Sequence, residues 1–482
     1  MTFHEIDMVQ VATGVVQDNG FIAAIPPGLT ATIPAHDPDA GGGIRDLRGL
    51  AWSSIDNETS RDLDQIEVAE RLQDGSIRVL VGIADVDAFV PKGSPIDKFA
   101  YGNSTSLYTG VAIFPMLPLE LSTDRTSLLE DGRDRLAVVT EIVVLADGNL
   151  DDTQTKIYTA KVQNKAKLVY ERVGAWLEGR GEAPHGGAVI ADQVKLQDEV
   201  AQRLRALRHL HGALDLETIE ANPVMKDGQV MDLELQHRNR ARELIEDLMI
   251  AANGATARYL EAKQRSSLRR VVAKPKRWDR IVVLAGALGT KLPVEPDAKA
   301  LSAFLTARRA ADPTRFADLS LSIVKLLGPG QYVLQRANAP ESGHFGLAVD
   351  DYSHSTAPNR RYPDLVTQRL LKAAARDLPS PYSDDELEEI AQHCTERENA
   401  ARKVERMMRK VAAAQLLSHR IGEEFDAVIT GVSDKGVFAR VFTPPVEGRV
   451  IQNEQHLDVG DKLRVKLLET VPAKGFIDFA RV

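Results

Sequence analysis

Residues 65–86, QIEVAERLQDGSIRVLVGIADV, constrain the fold more than any other stretch of the chain. From Gln65 to Ala69 polar and apolar side chains alternate, with Ile66 and Val68 on one face, which is the period of a strand. Asp74-Gly75 is a hairpin dipeptide, and RVLVGIADV after it reads as a second, more buried strand. A sheet is thus required, and helical patterns follow it. QVKLQDEVAQRLRALRHL is one; NRARELIEDLMIAANGATARYLEAKQ is longer and places Leu244, Leu248 and Ala251 on a shared face. A third helical region, dense in charge, runs from Asp384 to about Gly422. From Phe425 to Val482 the pattern changes to short strands between turn signals: Asp434-Lys435-Gly436, Pro444-Pro445, Val459-Gly460-Asp461 and Lys474-Gly475. That is the cadence of a small β-barrel. The fold class expected is α+β and multidomain. Residues 1–45 read as a short, partly strand-like extension (VATGVVQDNGFIAAIP), with PAHDPDAGGG as a linker.

The hairpin is preceded by SSIDNETSRDLDQ, Ser53 to Gln65, which sets Asp56, Asp62 and Asp64 within a few residues of one another. Like charges repel, so either water or a cation must answer them. A solvated turn is one reading. A calcium loop of the EF-hand type is a poor one, because the sixth residue counted from Asp56 is Arg61 rather than glycine. A magnesium site for phosphoryl chemistry is the third: magnesium takes hard oxygen ligands, keeps several waters and is completed by substrate phosphates. Two such ions about 3.5–4 Å apart activate a water and steady the leaving oxygen. A second cluster, GHFGLAVDDYSHSTAPNRRYPDL (343–365), carries Arg360 and Arg361 beside Tyr362. Arginine suits bidentate phosphate contact, although an ion pair with Asp364 at a helix start would also account for it.

Composition narrows the setting. At 482 residues the chain exceeds one ordinary core. No apolar run is long enough to span a bilayer, and MTFHEIDMVQV lacks the profile of a signal peptide. The single cysteine, Cys394, excludes an internal disulfide and a cysteine zinc site, so a cytoplasmic location is the default. A net charge of -9 argues against a surface that coats nucleic acid everywhere, but leaves room for a local basic channel. RSSLRRVVAKPKR (265–277) and ARKVERMMRK (401–410) are the densest basic segments.

Taken in order, SSIDNETSRDLDQ, GIADVDAFVPKGSPID, FPMLPLELS, NKAKLVYERV, LIEDLMIAANGATARYL and HFGLAV…APNRRYPDL resemble the catalytic (RNB) domain of the ribonuclease II / ribonuclease R family. The tail, with GVSDKGVF, VEGRV and VGDKLRVKLL, resembles the S-one-type OB domain, a five-stranded barrel, that closes that family's chains. The resemblance implies an extension over 1–45, a catalytic domain over 46–422 and an OB domain over 423–482. It implies 3′-to-5′ hydrolysis of single-stranded RNA to nucleoside 5′-monophosphates with magnesium, or manganese in its place, and no membrane association. Of the family's four metal-site aspartates, three match Asp56, Asp62 and Asp64; the fourth falls on Gln65. Asp62, Asp64 and Arg360 form the implied catalytic set, although Ala357 and Asn359 replace the usual serine and isoleucine of that motif. Tyr108 matches the family's nucleotide-stacking tyrosine, and Arg361 sits beside the phosphate-gripping Arg360. Glu405 stands nearest to an RNA-contacting glutamate, with Lys403 as the alternative, and Phe438 is placed where this OB type offers an aromatic to a base.

Two departures carry expectations of their own. Gln65 offers an amide oxygen without charge, which predicts a higher magnesium requirement; Asp85 and Asp87, on the neighbouring strand end, either supply the missing oxygen or brace the loop. Forty-five residues cannot hold the two cold-shock barrels that precede the catalytic domain in typical relatives, which predicts a weaker grip on RNA. Two other functions stay open: an RNA-binding adaptor with a degenerate metal site, and a metal-dependent endonuclease or DNA exonuclease.

Overall fold

The computed structural model describes residues 6–34, 43–217, 221–226, 228–235, 238–339, 343–433 and 436–482. The expected linker at 34–43 lies almost wholly outside these residues, as does the Asp434-Lys435 part of one barrel turn.

The sheet predicted from the hairpin has seven strands: β1 (Arg45–Asp46), β2 (Ser53–Asp56), β3 (Gln65–Arg71), β4 (Ile77–Ala84), β5 (Arg135–Val144), β6 (Lys156–Val162) and β7 (Ala166–Val169). Their spatial order is β1-β6-β5-β4-β3-β2-β7. β3 and β4 are the antiparallel hairpin, with Gln65 opposite Ile83 and Arg71 opposite Ile77. Both faces of this sheet are covered. On one side Ile66, Val68 and Leu80 pack with Leu365, Val366 and Leu370 of a helix spanning Tyr362–Ala375. On the other, Ala69, Val79, Val81 and Ile83 pack with Val194, Leu204, Leu244 and Leu248 from two long helices. Each such buried aliphatic side chain contributes roughly 1.5–3 kcal/mol, so this double burial is the main stabilising layer.

In chain order the helices that matter here are α1 (Met8–Asp18), α2 (Gly187–His211), α3 (Arg240–Ala262), α4 (Tyr362–Ala375) and α5 (Asp384–Leu417). α5 starts at a capping box, Ser383 and Glu386 each satisfying the other's backbone N–H. Among the described residues no helix is long and apolar enough to cross a membrane.

The strand-like reading of the first residues is corrected. VATGVVQD lies in α1, where Asp7 accepts from the N–H groups of Val9 and Gln10. Met8, Ala12 and Val16, four apart, bury one stripe against Val404, Met408 and Val411 of α5. Valine-rich composition suggested a strand; the i, i+4 spacing and the cap decide for a helix.

The tail is a closed barrel of β8 (Glu424–Ser433), β9 (Gly436–Val441), β10 (Glu447–Gln452), β11 (Lys462–Val471) and β12 (Phe476–Arg481), in the order β8-β9-β10-β12-β11. In β9, Val437, Ala439 and Val441 point inward and Phe438 and Arg440 outward.

Candidate active site

β2 ends at Asp56 and β3 begins at Gln65, so the acidic stretch is the connection between two adjacent strands. It is held firmly. The Ser127 hydroxyl accepts from the N–H of Leu63 and donates to the carbonyl of Arg61. Lys167 Nζ donates to the carbonyls of Glu58 (2.9 Å) and Ser60 (2.6 Å).

A second segment is fastened beside it. The carbonyl of Arg360 accepts from the N–H of Ser106 (2.9 Å), and the N–H of Tyr362 donates to the carbonyl of Ser104 (2.8 Å). This zips residues 104–106 to 360–362 and brings Tyr108 to the same place as Arg360. The backbone N–H of Asn359 donates to Asp64 Oδ1 (2.9 Å), joining that pair to the acidic connection.

The result is a cavity of about 330 Å³ lined by Asp56, Asp62, Asp64, Gln65, Tyr108 and Arg360, with Asn57, Ser60, Tyr170, Arg242, Ile245, Met249 and Thr356 completing the wall. Arg360 Nε lies 3.4 Å from Asp64 Oδ2. Asp64 is only 3% exposed, whereas the Arg360 side chain is 45% exposed, so the guanidinium reaches into the opening and the carboxylate closes its floor. Burial pushes the Asp64 carboxyl up to about 7, against the opposing charge of Arg360 and the Asn359 N–H. Tyr108 is 40% exposed, but its hydroxyl turns inward and donates to Asp62 Oδ2 (2.8 Å). Burial first, then the charge of Asp62, raises its phenol well above the usual range. Asp56 accepts from the N–H of Asn57 (2.6 Å) and the hydroxyl of Ser60 (2.9 Å). A larger cavity, about 750 Å³, touches the same connection through Glu58 and runs past Lys167, Arg172 and His185, but Arg172 is paired there with Glu58 (2.7 Å) and among the described residues no tyrosine or aspartate lines it.

The donor chemistry suits a hard divalent cation: three carboxylates and an amide oxygen on one wall. Among the described residues, however, no three such side chains converge on a point as a ready-made metal cage. Each carboxylate is instead held by a local donor. That fits an ion bound through one or two carboxylates, its own waters and a phosphate.

Six of the residues singled out from the sequence therefore meet: Asp56, Asp62, Asp64, Gln65, Tyr108 and Arg360. Others do not. Arg361 turns away and donates to Asp364 Oδ1 (2.7 Å), an acid fully buried in the first turn of α4, so the ion-pair reading is the one realised. Asp85 and Asp87 do not reach the cavity; Lys372 Nζ holds both, at 2.8 and 2.9 Å, and they brace α4. Glu405 and Lys403 lie on α5, half-buried and exposed, and Phe438 lies half-buried on the outer face of the barrel; none of the three lines the cavity. Sequence reasoning missed Tyr170 and Arg242. The guanidinium of Arg242 stacks 4.4 Å above the Tyr170 ring and donates to Asn57 Oδ1 (3.0 Å). Its position in the first turn of a strongly periodic helix, off the apolar face, was the available signal.

Comparison with known proteins fits this geometry. The profile of the RNB domain matches residues 44–377. The chain belongs to the RNB domain family. A second profile, the RNase II-type exonuclease C-terminal S1 domain, matches residues 423–482, the span of the barrel. Among RNB relatives, Ribonuclease R 1 of Lactococcus lactis is 31% identical over 465 residues, covering 90% of this chain and 56% of its own. Exoribonuclease 2 of Escherichia coli is 30% identical over 403 residues, covering 82% of this chain and 61% of its own. The chain thus spans little more than half the length of these RNB proteins. The structure of Mycoplasma genitalium RNase R in complex with double-stranded RNA superposes with a TM-score of 0.88 at 25% identity, over 99% of this chain and 83% of that one.

Proposed function

We propose that this RNB protein is a magnesium-dependent 3′-to-5′ exoribonuclease that hydrolyses single-stranded RNA to nucleoside 5′-monophosphates, acting in the cytoplasm. One observation carries the reading: Asp64 and Arg360, from opposite ends of the catalytic region, face one cavity 3.4 Å apart with two further aspartates and an exposed tyrosine around them. The names of the relatives agree with it.

Asp56, Asp62 and Asp64 would hold the divalent ion, with Gln65 as a neutral donor. When bound, the ion supplies Lewis-acid polarisation of the phosphate and a more acidic water. The chain's own groups do the rest. Arg360 faces the phosphate that gains charge during attack and stabilises it with a guanidinium set beside Asp64, on a backbone that the Ser106 N–H fastens in place. Water adds to phosphorus, the bond from phosphorus to the O3′ of the penultimate nucleotide breaks, and the phosphate leaves on the 5′ oxygen of the last nucleotide. Tyr108 offers its exposed ring to a base, a contact worth about 1–3 kcal/mol and indifferent to base identity.

Gln65 favours a second reading, an RNA-binding adaptor without turnover. RNA and DNA oligomers labelled at the 5′ end and incubated with magnesium separate the two. The expected result is a ladder that shortens from the 3′ end on RNA alone. Intact oligomer supports the adaptor, and internal cuts support an endonuclease.

A further inference from the structure

Arg242 lines the cavity and is held in place from three directions. Its backbone N–H donates to Oδ1 of Asn239, the residue that caps α3 (2.9 Å). Its guanidinium stacks on the Tyr170 ring. Nη2 makes the polar contacts, donating to Asn57 Oδ1 (3.0 Å) and to Glu171 Oε1 (2.7 Å). Nε is buried without a partner; Nη1 also has no partner among the described residues, but it is not sealed from solvent. Glu171 is largely exposed, so the ion pair with it is screened and leaves the guanidinium able to meet a second anion. Leucine or methionine would cover the Tyr170 ring as well. A fixed guanidinium with one nitrogen uncommitted suits a phosphate.

The cavity already has a guanidinium for the scissile phosphate, that of Arg360. At about 330 Å³ it has the size for one nucleotide. The Arg360 side chain is 45% exposed and that of Arg242 is 21% exposed, so Arg360 stands nearer the mouth and Arg242 deeper. A chain fed in by its 3′ end sets the scissile phosphate at Arg360 and the far side of the last nucleotide, with its 3′ oxygen, beyond it. RNA that ends in a hydroxyl offers no anion there. We propose that Arg242 receives a phosphate carried on the 3′ oxygen of the last nucleotide, so that 3′-phosphorylated RNA is a substrate preferred over RNA with a 3′-hydroxyl. The inference rests on the exonuclease reading above and names the end group that the same site takes. In the first turnover water adds to the scissile phosphorus, the bond to O3′ of the penultimate nucleotide breaks, and that oxygen takes up a proton. The nucleotide released is a nucleoside 3′,5′-bisphosphate, and later ones are 5′-monophosphates. Such ends arise where a 2′-hydroxyl attacks the next phosphate and water opens the resulting cyclic diester, so endonucleases of that class would supply this substrate.

The test is a competition in one tube, with the full chain and magnesium. Two single-stranded RNA oligomers of one sequence, distinguished by their 5′ dyes, end in a 3′-phosphate and in a 3′-hydroxyl. The ratio of their first-cleavage rates is read, and the first product is identified by chromatography. Wild type is expected to consume the phosphorylated oligomer about tenfold faster, the size of one charge-assisted hydrogen bond, and to release the bisphosphate. Arg242→Gln is expected to bring the ratio down to about one, whatever it does to the absolute rates. A wild-type ratio of about one or below overturns the proposal without reference to any variant. So does an Arg242→Gln protein that slows both oligomers alike and keeps the ratio, because Arg242 then holds a phosphate within the RNA strand. Release of inorganic phosphate before the first cleavage overturns it as well. If the hydroxyl-ended oligomer shortens while the phosphorylated one stays intact, this inference falls and the exonuclease reading stands; if neither shortens from the 3′ end, both fall.

Discussion

Two acid clusters stand at the same end of the sheet, one before β3 and one after β4, and they are answered in opposite ways. Asp85 and Asp87 meet Lys372 at 2.8 and 2.9 Å, and Asp87 also meets Arg369 at 2.9 Å. Arg369 continues to Asp97 (2.9 Å) and to the Tyr382 hydroxyl (2.7 Å), and Asp97 accepts from the Tyr362 hydroxyl (3.0 Å). Every charge there has its partner inside the protein. Among the described residues, of Asp56, Asp62 and Asp64 only Asp64 makes an ion pair, with Arg360, and Glu67, buried on β3, has no hydrogen-bond partner for its carboxylate. Composition alone would call the two clusters alike. The difference is internal neutrality: the first fastens α4 to the sheet, while the second is left electrically incomplete and open to a cavity, which is what a site for a cation and a polyanion requires.

Replacing one residue in each cluster sharpens that contrast. Asp64→Asn is expected to lower turnover on RNA by a factor on the order of 10²–10⁴, with no loss of thermal stability, since the amide can still accept from Asn359 and no longer has a charge to bury. Arg369→Ala is expected to do the reverse. It leaves Asp87 and Asp97 short of a cation, at a cost of about 3–5 kcal/mol of stability by urea unfolding, while turnover per folded molecule stays within a few-fold of wild type. An Arg369→Ala protein of undiminished stability would break the comparison.

The sequence made one cluster legible and hid the other's logic. The alternation of β3, the hairpin turn and the barrel's turn spacing are local signals, and the structure agrees with them. The gathering of Asp64, Tyr108 and Arg360 came only from resemblance, because what joins them is a backbone zipper between 104–106 and 360–362 that has no local signature. Arg361 looked equivalent to Arg360; the start of α4 turns one guanidinium inward to Asp364 and leaves the other at the cavity. Glu67 escaped notice because alternation alone assigns it to the polar side of β3. Only the packing of α2 and α3 across that side buries it.

The exposed ring in the cavity gives a smaller effect. Tyr108→Ala is expected to weaken binding of single-stranded RNA by about 1–3 kcal/mol, read by fluorescence anisotropy in the presence of chelator. Tyr108→Phe keeps the ring and loses only the hydrogen bond to Asp62, so it is expected to retain most of that affinity. Equal losses in the two variants would place the hydroxyl, not the stacking face, at the centre of RNA binding.

The change per pH unit is the smallest signal, and it tests the electrical incompleteness directly, without RNA or metal. In chelated protein the Asp64 carboxyl titrates at about 7 when folded, above its ordinary 3.8. Below about pH 4 it is protonated in both states and exacts nothing. As pH rises from there the unfolded chain releases a proton that the folded chain keeps, so this group's contribution declines by at most about 1.4 kcal/mol per pH unit and levels off once the folded carboxyl has ionised. Asp64→Asn removes that slope. The stability difference, variant minus wild type, is therefore expected to grow with pH between about 4 and 7 and to stay constant above. A carboxylate already satisfied within the protein would show the opposite sign, the wild type gaining on the variant as pH rises, and Asp64 would then belong with the neutralised cluster beside α4.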